Sequence, residues 1–128
     1  MIFYLAARYS RRDELIVYRK QLVSMRHLVC SRWLDTYWEL EEKGSSAAPP
    51  QYRAQWSIND MEDVLISNIV VSFTSNGLGR GGRHVEFGIG LAAGKTMILI
   101  GEPEHLFHEH PNVHKFSSWN DYIDSWRK

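Results

Sequence analysis

The sequence contains a single cysteine, Cys30, among 128 residues. That excludes an internal disulfide framework and suits a reducing compartment. It has no surplus of either charge, since 15 Lys plus Arg stand against 15 Asp plus Glu. A protein that grips duplex phosphates carries a basic excess, so nucleic acid is not an expected partner. Long apolar runs are missing as well. Stretches such as Met97–Ile100 are far too short to span a bilayer, and no membrane association is expected. Met1–Ala7 runs straight into Arg8 and Arg11–Arg12 without the order of a signal peptide, so the expected location is cytoplasmic. What the chain does have is 44% hydrophobic and 23% charged residues, enough for one core and one domain over residues 1–128.

Strand and helix patterns alternate along it. Ile2–Ala6 is a short apolar run without helical period, as in a strand buried on both faces. Ser10–Asp13 has the form of a capping box ahead of Leu15, Tyr18, Leu22 and Met25 at helical spacing. Leu28–Ser31 reads as a second strand. Residues 33–56 then interrupt the rhythm as an aromatic-rich loop insertion, with Gly44–Pro50 as punctuation between Tyr37, Trp38, Tyr52 and Trp56. A connection of that length is either a lid or a loop packed on the body, and both readings stand.

Ser57–Asp60 is a second cap-like signal, before Ile58, Met61 and Leu65 on one helical face. Ile69–Phe73 is a β-branched strand, Gly77–Gly82 a turn, and 83–93 a helix ended by Gly94. Thr96–Ile100 and Val113–Phe116 are further strands around a loop at 102–112 that holds one helical turn. Ser118–Arg127 is a closing helix capped by Ser117 or Ser118. Such alternation predicts a parallel sheet of about five strands with helices on both faces. Ligands bind such sheets beyond the strand carboxyl ends, which directs attention to 6–12, the segment before Asp60, and 74–86.

Thr74–Glu86 follows a strand and opens a helix, where backbone N–H groups and the helix dipole collect an anion. Gly77, Gly79 and Gly82 formally match G-x-G-x-x-G, but in the third strand–helix unit with little chain to follow, so no dinucleotide cofactor is expected. Gly94-Lys95-Thr96 imitates the tail of a phosphate loop, yet Ile89 stands where its glycine belongs. Glu86, placed in the first turn of its helix, either complements the macrodipole or is a nucleophile that the dipole keeps ionised. Asp60 either closes a capping box with Ser57 or serves as an acid. His105, His108, Glu109, His110 and His114 match no zinc spacing and read as a solvated loop, so no metal is expected. Cys30 reads as inert core.

Three stretches then resemble one family. They are Ile2–Ala7, Asp60-Met-Glu-Asp63 running into Ser67–Val71, and Gly81–Gly88 with Gly94-Lys95 before a strand. Together they are similar to the nucleoside 2-deoxyribosyltransferases and to relatives that hydrolyse deoxynucleoside 5′-monophosphates, over most of the chain except 33–56. The resemblance implies an α/β flavodoxin-like three-layer sandwich and cleavage of N-glycosidic bonds in (deoxy)nucleosides or their 5′-monophosphates. It implies a small-molecule partner, no cofactor, and a homodimer or higher homo-oligomer. Glu86 corresponds to the nucleophile, Asp60 to the acid for the departing base, and Tyr4 to a tyrosine that positions the nucleophile.

Two departures matter. Ser67-Asn68 replaces the family's Ala-Asp, and Arg80 stands where transferases of free nucleosides often carry Asp. Arg80 and Arg83, beside Gly79, Gly81 and Gly82 and with Arg11 or Arg12 from the first loop, suit a 5′-phosphate. Trp33, Trp38 and Trp56 are the expected base-covering lid. A non-catalytic nucleotide-binding module of the same fold is the alternative.

Overall fold

A computed structural model describes residues 1–36, 49–78 and 81–127. Five parallel strands form one sheet in the order β2-β1-β3-β4-β5. They are β1 Ile2–Ala6, β2 Leu28–Val29, β3 Ile69–Phe73, β4 Thr96–Ile100 and β5 Val113–Phe116. The helices are α1 Arg12–Ser24, α2 Pro50–Ile66, α3 Gly82–Ala92 and α4 Trp119–Trp126. Successive strand residues face opposite ways, and both directions are apolar here. Phe3, Leu5, Val71 and Phe73 pack under Leu15 and Leu22 of α1 and Trp119 and Ile123 of α4. Tyr4, Ala6, Val70 and Met97 pack under Val64 of α2 and Phe87 of α3. This is the doubly wound flavodoxin-like sandwich, and its strand order reverses between β1 and β3, where such sheets place their ligands.

Several local expectations need correction. The second strand stops at Val29 because Ser31 leaves the ladder, and its Oγ accepts the Leu5 N–H at 2.8 Å instead. The Ser10–Asp13 capping box does not form. A 3-10 turn over Tyr9–Arg11 leads into α1, whose N-cap is Arg11 without a side-chain cap. Helix α2 begins at Pro50, so Ser57 lies inside it and donates back to Ala54 O at 2.7 Å rather than capping anything. The reason is that proline at the first helical position lacks only an N–H that would be unpaired anyway, and its fixed φ already suits a helix. The expected loop over 33–56 is therefore a 3-10 turn at Arg32–Asp35 and helix from Pro50, with 37–48 outside the described residues.

Other signals are realised as read. Gly94 is left-handed at φ +76°, with Gly94 N–H to Leu91 O at 3.2 Å and Lys95 N–H to Gly90 O at 3.0 Å, a Schellman ending for α3. Ser118 caps α4 by accepting from Asp121 N at 3.1 Å. Gly90 faces the sheet, where an added Cβ would stand 2.9 Å from Val70 Cγ2. Among the described residues no helix is long and apolar enough to cross a membrane.

Gly101 follows β4 at φ +110°, and a Cβ there would collide with Oγ1 of Thr74, the residue that follows β3. Gly101→Ala therefore combines backbone strain with overpacking and is expected to lower stability by about 1–3 kcal/mol. A urea midpoint shared with the wild type would contradict this close approach.

Candidate active site

The switch-point side of the sheet carries a cluster of acids above a tyrosine. Tyr4 lies at the centre of β1, fully buried, with its side chain toward α2 and α3. Asp60 and Asp63 come from α2, and Glu86 from α3. These two helices pack together over the sheet, which brings residues distant in sequence to one place.

Glu86 differs from its sequence reading in one respect that changes its chemistry. Gly81, left-handed at φ +92°, is the N-cap, and α3 starts at Gly82. Glu86 thus sits in the second turn, where the dipole has largely faded. It remains half-buried, and protein packs densely around its carboxyl. Burial, reinforced by the nearby charge of Asp60, pushes it up to about 8, although the Tyr4 hydroxyl pulls slightly the other way. The expectation that the dipole keeps this group ionised is overturned, because desolvation wins.

Asp60 is half-buried and is pushed up to about 6 by burial and by the Asp63 charge, with Arg32 opposing. Tyr4 is raised well above the ordinary phenol value by burial, then by the charges of Glu86 and Asp60. Its hydroxyl makes no hydrogen bond of ordinary length and angle among the described residues, yet Glu86 lies close enough for each to alter the other's titration. The three residues expected in one site are brought together.

Asp63 is a member that the sequence reading did not single out. It is buried, and both its oxygens serve Arg32: Nε at 2.9 Å to Oδ1 and the backbone N–H at 3.0 Å to Oδ2. The Cys30 thiol donates to Asp63 O at 3.1 Å and is itself held up at about 11, mainly by burial, which keeps it unreactive. Asp63 thus anchors α2 to the end of β2 and supplies the fixed charge that lifts Asp60. The only sequence signal for it was its place three residues after Asp60, on the same helix face.

The basic residues divide differently from expectation. Arg83 is buried, and its guanidinium is spent inside the protein, donating to Leu78 O at 2.8 Å and to Glu104 at 2.7 Å. Glu104 also accepts from the Gly77 N–H. Burial alone would raise its carboxyl, but the bonds from Arg83 and Gly77 bring it below the usual value. This pair grips both arms of the glycine turn, so Arg83 holds the loop rather than facing a ligand. Glu104 was missed because its partner lies across β4, beyond any local pattern.

Arg11 is likewise committed, donating to Glu14 at 2.9 Å and to Thr74 O at 2.9 Å while lying over the Phe73 ring. Arg12 is freer. Among the described residues it reaches only the exposed Asp13, at 3.5 Å, and its Nε is buried without a partner, as is Ser75 Oγ. Trp33 is a strut, its indole donating to Leu5 O at 2.7 Å. Trp56 lies on α2 and stacks near Tyr52. Neither belongs to a loop as expected of a lid. Gly79, Arg80 and Trp38 lie outside the described residues.

The fold defines a doubly wound, flavodoxin-like α/β protein. No protein-family model matches the sequence, and no curated protein matches it. Among solved structures, the chain is similar to 2-deoxyribosyltransferase from the psychrotolerant Bacillus psychrosaccharolyticus. That match has a TM-score of 0.73 at 20% identity, covering 95% of this chain and 90% of that one. It is also similar to the Clostridium botulinum CMP N-glycosidase BcmB, with a TM-score of 0.61 at 17% identity over 100% of both chains. At these identities the likeness establishes a shared fold.

Proposed function

We propose that this protein cleaves the N-glycosidic bond of nucleosides or their 5′-monophosphates, through Glu86 as nucleophile and Asp60 as acid. The observation that carries the reading is the convergence of Glu86, Asp60 and Tyr4 at the sheet's switch point, with both carboxyls raised. Between about 6 and about 8 the two acids hold one proton between them, mainly on Glu86, and its passage to Asp60 gives the base form and the acid form that the reaction needs. Breaking the bond at C1′ leaves the sugar with oxocarbenium character. The Glu86 carboxylate captures C1′ as an ester while Asp60 delivers its proton to the departing base. Water, or a second base, then attacks C1′ and releases Glu86, and Asp60 recovers its proton from that incoming group. Tyr4, below the pair, orients the Glu86 carboxyl.

Similarity to a CMP N-glycosidase, together with an Arg12 whose bond among the described residues is only to the exposed Asp13, supports a 5′-monophosphate as the better substrate. Arg12 takes the phosphate role that its sequence assigned in part to Arg83. The reading includes a cytoplasmic setting and self-association. Ile58, Met61 and Leu65 recur along α2 and stand exposed, as a face meeting a second copy would.

The test is a panel of ribo- and deoxynucleosides and their monophosphates, with free base followed in the presence and absence of a second base. Base release, a sugar ester on Glu86 by mass spectrometry, and a monophosphate preference that narrows in Arg12→Ala are expected. Nucleotide binding with neither turnover nor adduct would instead assign a non-catalytic module.

A further inference from the structure

The histidines read as a solvated loop are not all solvated. His108 is fully buried, in a 3-10 turn over Leu106–Glu109, and the fold carries it and His105 against His84 in the first turn of α3. The three rings form one group. His105 and His108 have centroids 3.8 Å apart, and His84 and His105 4.5 Å. His84 Nδ1 and His105 Nε2 face each other at 3.1 Å, and one nitrogen from each of the three rings lies within 4.8 Å of the others.

The hydrogen-bond inventory of this group is incomplete. His108 Nδ1 accepts the Glu104 N–H at 2.9 Å, which puts the proton of the neutral ring on Nε2, buried with no partner among the described residues. His105 Nδ1 is also buried without a partner. Orphaned buried imidazole nitrogens are uncommon, because each forfeits the bond it had to water. Phe87 packs edge-on against His105 and His108 and adds an apolar wall. Glu104, the nearest acid, is saturated by Arg83 and Gly77.

We propose that His84, His105 and His108 form a binding site for a divalent transition-metal ion of the zinc type, which ties residues 104–108 to the start of α3. Imidazole nitrogens are ligands for such ions, whereas Mg2+ and Ca2+ require oxygen ligands that this group lacks. Bonds of about 2.0–2.1 Å in a tetrahedral site place ligand nitrogens roughly 3.3 Å apart. The His84–His105 pair is already at that spacing, and a rotation of the remaining ring closes the set. The lone pair of the neutral His108 ring is on Nδ1, so binding an ion requires that ring to turn away from the Glu104 N–H and present Nδ1 to the metal. Three protein ligands leave the fourth position to water or an anion. His84 precedes Glu86 by two residues on α3 and so projects from a different side of that helix. The site is therefore separate from the carboxyl pair, and its existence does not rest on the proposed reaction.

The experiment titrates untagged, chelator-stripped protein with Co2+ and then Zn2+, read by visible absorption and calorimetry. One ion per chain, the intense visible bands of four-coordinate cobalt, their loss on adding Zn2+, and a raised Tm are expected. His105→Ala and His108→Ala should each weaken binding by at least about 10-fold. His110→Ala and His114→Ala, altering exposed neighbours, should leave it unchanged. If His108→Ala fails to fold, the half-buried His105→Ala and the wild-type stoichiometry decide. No stoichiometric binding by wild type, or affinity that follows His110 or His114, would overturn the site.

Discussion

Glu86→Gln is expected to abolish base release, by about 10³-fold or more, and at the same time to make the protein more stable above pH 8. The stability effect follows from linkage. A carboxyl with an ordinary value of 4.5 that titrates near 8 when folded keeps its proton longer in the native state than in the unfolded chain. Between those values the native state binds more protons, so stability falls as pH rises and the loss is complete above about 8. Glutamine cannot ionise and escapes this penalty. The variant should match wild type near pH 4 and exceed it by roughly 2–4 kcal/mol at pH 9, allowing for partial solvent access to this residue. Urea denaturation at the two pH values measures it. Equal stability at pH 9 would show that Glu86 is not desolvated in the folded protein.

The same pair shapes the activity profile. On the proposed reaction the productive form carries its one proton on Asp60, the minority arrangement because Glu86 titrates higher. The kcat/KM profile should still be bell-shaped, with limbs near about 6 and about 8.

Glu104→Ala carries the largest expected loss of stability. The Arg83–Glu104 pair has side chains only 3% and 5% exposed, so removing the acid leaves a buried guanidinium without its counter-charge and Gly77 N–H without its acceptor. Breaking one side of such a pair costs about 3–5 kcal/mol, which lowers Tm by roughly 10–20 °C in a domain of this size. Replacing both partners with apolar residues of similar volume, as in Arg83→Met with Glu104→Leu, should recover much of the loss, because no charge is then stranded. Glu104 is held below its ordinary value, so its contribution is present above the unfolded-state value and is lost as pH falls through the folded one. Thermal melts of the single and double variants distinguish this account. A Glu104→Ala melt like that of wild type would mean that the pair does not hold the glycine turn.

Local signals served well where structure depends on neighbours in sequence. β1, β3 and β4 run over the residues that their apolar runs indicated, since those runs are buried on both faces whatever packs above them. Gly94 and Ser118 mark helix ends because capping is settled within one turn. Pro50 misled, because the residue that stops a helix from within also starts one.

The amino-acid sequence by itself determined the alternating strands and helices and the parallel sheet, and its resemblance to a family gave the expectation that Tyr4, Asp60 and Glu86 share a site. Only the tertiary structure decided their state. Desolvation depends on what surrounds a carboxyl in space, so the raised Glu86, the anchoring of Asp63 by Arg32 and the capture of Arg83 by Glu104 have no local signature. The meeting of His84 with His105 and His108 likewise depends on the path through β4, since side chains 21 residues apart touch only once the sheet is built.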